Sequence, residues 1–322
     1  MGAFYQSEII RFYPSGNISG QIIPNVQTVS TAFQVQRVDT LRLGRFAPMP
    51  RRQSNQDPVV NFTMEFIPTG SDVTRVLGLM GTGSALDGLF TGASRICDAK
   101  VQVRELVGAG TSVGTFNLRS GVLTNYGFQA AVGQTPRATC SFEFLDIGMD
   151  ATTAIVPPSV DNSLPVMRPQ DIDLVLPTGL FGIGSVYAQA FSITLPLART
   201  NVTKIGSRKA ILRDVAAPVF ATFQIQAVIE TLASTNGTSG NSSQMFSLTC
   251  GKSFDDNISV VIKQPSCTGE SSTILNTYTL RKPYLDNISF SNSVGGFTSV
   301  DMQFTIPVTP ENNLNESNLV IS

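Results

Sequence analysis

Histidine and tryptophan are missing from this 322-residue chain, and only 14% of its residues carry charge. Without histidine there is no Ser-His-Asp triad, no Cys-His pair and no imidazole-ligated metal. No apolar run is long enough to cross a bilayer as a helix, so no membrane span is expected. The opening MGAFYQSEIIRFYPSG lacks the basic and apolar regions of a secretory signal, and Gln6 stands where a myristoylation pattern needs Ser or Thr. The four cysteines, Cys97, Cys140, Cys250 and Cys267, have neither CxxC nor metal-type spacing, which predicts reduced thiols. Cys140 sits in an alternating apolar run and reads as a small buried hydrophobe.

Other partial motifs also fail. Gly251-Lys252-Ser253 looks like the end of a P-loop, but Phe246 occupies the position of its first glycine. Gly179, Gly182 and Gly184 do not complete a dinucleotide fingerprint, and Asp255-Asp256 lacks calcium-loop spacing. Eight Asn-x-Ser/Thr sequons, beginning with Asn17 and Asn61, follow from a chain rich in Asn, Ser and Thr. No cofactor, metal or catalytic activity is expected.

What the chain has in plenty is Val, Ile, Thr, Ser and Phe in period-2 runs. VNFTMEFI, AKVQVREL, TFNL and ATCSFEFL alternate in and out, as half-buried strands do. One helix is predicted over Ser71–Met80, with Ser71 as N-cap, Val73, Val76, Leu77 and Met80 apolar, and Gly81 as stop. The second half has no clear counterpart, and STNGTSGNSS (234–243) reads as a polar insertion.

The chain is also internally repeated. Residues 123–144 align without a gap on 285–306, with Leu123, Asn125, Phe128, Val132, Gly133 and Phe142 recurring as Leu285, Asn287, Phe290, Val294, Gly295 and Phe304. Composition alone would give about one or two such identities. Four earlier segments return at nearly the same offset: Tyr13-Pro14-Ser15-Gly16 as Leu176-Pro177-Thr178-Gly179, Val29, Phe33 and Val35 as Phe191, Leu195 and Leu197, Leu43-Gly44 as Ile205-Gly206, and Phe62-Thr63-Met64 as Phe223-Gln224-Ile225. The expected organisation is a mainly β protein of two tandem β-sandwich or barrel units, residues 1–149 and 171–322, each with a long arm loop and about one helix. A linker, 150–170, with Pro157, Pro158, Pro165 and Pro169, joins them.

Each unit carries a basic arm after its first long strand. Arg37, Arg42, Arg45, Arg51 and Arg52 form the first, and Arg199, Lys204, Arg208, Lys209 and Arg213 the second. These arms hold ten of the 22 Lys and Arg, with Asp39 alone opposing them, so the remainder has a formal charge of −10. Cationic projections on an acidic body suit contacts between subunits, where complementary charge sets register. Nucleic-acid binding fits less well, because Phe46 is the one aromatic available for stacking and the body repels phosphate.

The order of these elements resembles the phage tail tube fold: alternating strands, a long arm, more strands, the Ser71–Met80 helix and a closing Asn125…Phe128…Val132-Gly133…Phe142 hairpin. The resemblance covers nearly the whole chain. It implies a structural virion protein whose six-unit rings stack into a tail tube that carries genomic DNA. A duplicated chain would then form a trimer with pseudo-sixfold symmetry. Twenty-four strands at about 4.8 Å spacing and about 40° tilt give a barrel roughly 48 Å across, wide enough for duplex DNA once side chains are in place. The resemblance further implies a tape measure protein and a tail terminator as partners, and assembly in the cytoplasm of a bacterial host. The competing reading is a two-domain sandwich adhesin on a virion or cell surface, supported by the Ser/Thr/Asn-rich loops.

Overall fold

The computed structural model describes residues 5–14, 21–23, 25–34, 37–38, 44, 53–54, 59–68, 96–105, 112–150, 167–176, 186–207, 209–229, 257–265, 273–291, 298–308 and 318–321. The protein is mainly β, and among the described residues the helical content is one 3-10 turn, Pro169–Asp171. The helix expected over Ser71–Met80, the polar stretch 234–243 and most of the linker, 151–166, lie outside the described residues.

The first half contributes β1 (Tyr5–Pro14), β2 (Gln21–Ile22), β3 (Val26–Gln34), β4 (Arg37–Val38), β5 (Gln53–Ser54), β6 (Val59–Phe66), β7 (Cys97–Glu105), β8 (Ser112–Ala131), β9 (Arg137–Phe144) and β10 (Asp146–Asp150). The second contributes β11 (Ile172–Val175), β12 (Val186–Pro196), β13 (Arg199–Val202), β14 (Leu212–Val215), β15 (Phe220–Ile229), β16 (Ile258–Lys263), β17 (Ile274–Arg281), β18 (Tyr284–Ser291), β19 (Thr298–Pro307) and β20 (Asn318–Ile321). The alternation read from the sequence sets their faces. Val60, Phe62, Met64 and Phe66 of β6 are buried while Asn61 and Thr63 are exposed, and Ala138, Cys140, Phe142 and Phe144 of β9 are buried in the same way.

Eight strands form one continuous antiparallel sheet in the order β3-β6-β9-β8-β12-β15-β19-β18. A second layer packs against it. In the first half it consists of β2, β1, β7, the N-terminal part of β8 and β10; in the second half it is β11-β16-β17-β20. The 20-residue β8 therefore serves both layers. It changes sheet at Ser120, whose φ is +55°, and Gly121, where a β-carbon would run into the Phe144 ring. In the second half the same crossing separates β17 from β18, at Lys282 with φ +47°.

The irregularities of the two halves recur at one constant offset, the offset that separates the repeated segments 123–144 and 285–306. A bulge at Val26/Thr28 in β3 returns at Ala188/Ala190 in β12, and one at Leu123/Asn125 in β8 returns at Leu285/Asn287 in β18. Positive-φ Gly44 and Gly206, at the two arms, share the same spacing. Bulges and left-handed residues mark where a strand bends or leaves its ladder, so their shared spacing means that both halves bend alike.

One hydrophobic core runs through both halves. Phe12, Phe62, Phe142 and Phe144 cluster in the first, with neighbouring ring centroids 5.0–6.3 Å apart. Phe128 of β8 stacks on Tyr278 of β17 at 5.7 Å, and Tyr278 shares a 2.6 Å hydrogen bond with the hydroxyl of Tyr126. Cys97 and Cys140 are free and buried, and Cys250 and Cys267 lie outside the described residues. Burial in apolar surroundings pushes the Cys97 thiol up to about 12 and the Cys140 thiol well above its usual range.

Candidate assembly surface

The basic stretch of the second half, expected as an unpatterned arm, forms a hairpin. β13 and β14 pair antiparallel from Arg199↔Val215 to Val202↔Leu212, and the chain reverses through Ile205 and Gly206. Gly206 has a φ of +86°, the left-handed conformation that a tight reversal requires and glycine supplies without strain. β4 and β5 pair at the equivalent place in the first half.

Three of the four described cations in this hairpin, Arg199, Lys209 and Arg213, reach back onto the first half of the same chain. Arg213 is buried. Its Nη1 donates to the carbonyls of Glu143 (2.9 Å) and Ser120 (3.3 Å), its Nε to Asn201 Oδ1 (3.2 Å), and its Nη2 to the Glu143 carboxylate. Arg199 donates Nε and Nη2 to the Leu123 carbonyl at 3.0 and 2.7 Å. Lys209 Nζ lies 3.0 Å from Asp146 Oδ2, an exposed ion pair whose hydrogen bond holds that carboxyl below its usual range. Two of the acceptors sit at irregularities of β8: Ser120 is where it changes sheet and Leu123 is where it bulges, and their carbonyls take side-chain donors. A guanidinium fork suits such a set because it offers several donors in one plane.

Lys204 is exposed near the tip of the hairpin, and Arg208 lies outside the described residues. In the first arm Arg37 lies in β4, its backbone opposite Ser54, while Arg42, Arg45, Arg51 and Arg52 lie outside the described residues. The sequence counted all these cations as contacts between subunits. The structure places Arg199, Lys209 and Arg213 between the two halves of one chain. Net charge cannot distinguish a buried anchor from a solvated projection.

Sequence reading missed the hairpin's apolar side. Val202, Ile205, Ile211 and Leu212 are exposed, and Ile205 is fully so. A cluster of aliphatic side chains held out in solvent is a candidate contact surface.

A second surface is the face of the eight-stranded sheet turned away from the core. Cross-strand rows there carry neutral polar residues: Ser30-Thr63-Ser141-Asn125 in the first half and Ser192-Gln224-Gln303-Asn287 in the second. The eight strands, counting β8 from Gly121, carry five charged residues: Glu65, Arg137, Glu143, Asp286 and Asp301. Glu65 pairs with Arg137 at 2.6 Å, and Glu143 is drawn toward Arg213. A cleft of about 570 Å³ on this face is lined by Gln129, Gln134, Gln224, Gln226 and Asp301 among others. Its amides and hydroxyls offer hydrogen bonds. Among the described residues no group of three or more Cys, Asp or Glu gathers where a metal could sit.

The chain matches no protein-family model, and no curated protein matches it.

Proposed function

We propose that this chain is a structural virion protein that self-assembles into stacked rings, forming the phage tail tube through which genomic DNA passes. One observation carries the reading: the two halves join edge to edge, β8 to β12, within one continuous sheet whose outermost strands among the described residues, β3 and β18, are the counterparts of β12 and β8. Repeating that junction from chain to chain adds eight strands per copy. Three copies supply 24 strands, the number that gives a barrel roughly 48 Å across. Head-to-tail contacts that close make rings, and stacked rings make a tube.

In such a barrel the second-layer sheets and the core must lie outside, so the neutral polar face lines the channel. The channel wall is then less acidic than the body charge of −10 suggests, since Glu65 and Glu143 are each paired with an arginine. Hydroxyls and amides, with Arg137 already paired, give phosphate little to hold, which lets DNA slide. The apolar hairpin tip around Ile205 supplies the contact between successive rings. A virion tail assembled in a bacterial cytoplasm, with a tape measure protein and a terminator as partners, follows from this reading, as does the absence of a catalytic role.

Negative-stain microscopy of the purified protein tests it. Rings of three bilobed subunits, or tubes with a central channel, are expected. A protein that stays monomeric at every concentration and binds glycans would instead establish the adhesin.

A further inference from the structure

The junction inside the chain supplies a template for the junction between chains, and its register can be transferred residue by residue. β12 pairs on one side with β15, as β3 pairs with β6; β8 pairs on one side with β9, as β18 pairs with β19. The bulges fix the correspondence: Val26 of β3 answers Ala188 of β12, and Leu123 of β8 answers Leu285 of β18, at the same offset. β12 and β8 thus display what β3 and β18 become when their outer edges are filled. Among the described residues β3 pairs with β6 alone and β18 with β19 alone.

We infer that β18 of one copy pairs antiparallel with β3 of the next, in the register Ser30↔Ser291, Thr31↔Phe290, Ala32↔Ser289, Phe33↔Ile288 and Gln34↔Asn287. This rests on the tube reading and names the seam through which copies join. The intrachain pairs behind it are Ser192↔Gln129, Ile193↔Phe128, Thr194↔Gly127, Leu195↔Tyr126 and Pro196↔Asn125.

Two observations beyond spacing support the transfer. The first is side-chain matching. At the internal junction Ile193, Leu195, Tyr126 and Phe128 share the buried face. The transferred register puts Thr31, Phe33, Ile288 and Phe290 together on that face, and Ser30, Ala32, Ser289 and Ser291 together on the other. A slip of one residue would set apolar against polar along the whole strand. The second is burial. Leu195 and Phe128 are 0% and 1% exposed, whereas their counterparts Phe33 and Phe290 are 54% and 46% exposed. Filling the edge covers the aromatic surface that separates the outer strands from the inner ones.

Cysteine cross-linking of the full chain decides the register. Ala32→Cys with Ser289→Cys, in a background where Cys250 and Cys267 are serine, places thiols directly opposite across the seam, within disulfide reach. Mild oxidation is expected to give two-chain and closed three-chain species. Ala32→Cys with Phe290→Cys, displaced by one residue and pointing to opposite faces, is expected to stay unlinked. If rings or tubes form yet the displaced pair links, or neither pair does, the register is wrong while the tube reading stands. Linking by Ser289→Cys alone would mean that β18 pairs with its own copy. A chain that remains monomeric removes both the register and the tube. As a second check, Phe290→Asp should keep the strand-rich circular dichroism spectrum of the parent and lose rings; intact rings would overturn the seam.

Discussion

The hydroxyls of Tyr126 and Tyr278 meet 2.6 Å apart in the buried core, 152 positions apart in sequence, one from each half of the chain. Each is the other's hydrogen-bond partner in a region otherwise lined by Phe128, Phe191 and Phe223.

That mutual dependence predicts a non-additive mutant cycle. Tyr126→Phe or Tyr278→Phe alone strands one buried hydroxyl and should cost about 1–3 kcal/mol, while the double variant removes both and should lie within about 1 kcal/mol of the parent. Urea unfolding of the four proteins measures the coupling. Additive losses would show that the hydroxyls act independently.

The same pair predicts alkaline sensitivity. Burial raises both phenols above their ordinary value, followed for Tyr126 by repulsion from Tyr278. A folded-state value above the unfolded one means the stabilisation is complete below about pH 10, the ordinary tyrosine value, and is lost as pH rises beyond it. Thermal midpoints recorded from pH 8 to 11.5 should fall at the alkaline end, and less steeply in the double phenylalanine variant.

The hairpin cations should separate into two classes. Arg213→Ala leaves Glu143 without its cation and removes a donor from each of three further acceptors, and should cost about 3 kcal/mol or more. Lys209→Ala breaks an exposed pair and should change stability by less than about 0.5 kcal/mol. Arg213→Lys should recover only part of the loss, because a point charge cannot serve the same fork. Denaturant midpoints check all three.

Assembly should respond to the hairpin tip and not to its base. Ile205→Asp alters a fully exposed side chain and should leave the fold and single rings intact while abolishing stacking into tubes, read by electron microscopy and sedimentation. In the first arm, charge reversal at Arg42, Arg45, Arg51 and Arg52 should impair polymerisation with the fold intact. Unchanged tube formation would remove that arm from the mechanism.

Much of the architecture was legible in the sequence because strand faces are local. A side-chain period of two in VNFTMEFI and ATCSFEFL is enough to place Phe62, Met64, Cys140, Phe142 and Phe144 inside. The match of 123–144 to 285–306 likewise needed only the one-dimensional string, and in the structure both segments fold as neighbouring antiparallel strands with the same bulge. The basic arms were visible as composition. What they do was not: Arg213 and Lys209 look alike in a charge count, yet one is buried against Glu143 and the other lies in solvent.

The sequence by itself determined that this is a strand-built, histidine-free chain with a repeated pattern and two cationic stretches, since each of these can be read along the string without knowing which residues touch. Only the tertiary structure decided that the halves share one sheet through β8 and β12, that Arg199 and Arg213 clamp the carbonyls where β8 bulges and changes sheet, and that β3 and β18 are the outermost strands of the sheet among the described residues. Strand partners are chosen by contacts between residues far apart along the chain, and a local period specifies which face is buried without specifying which edge will meet it.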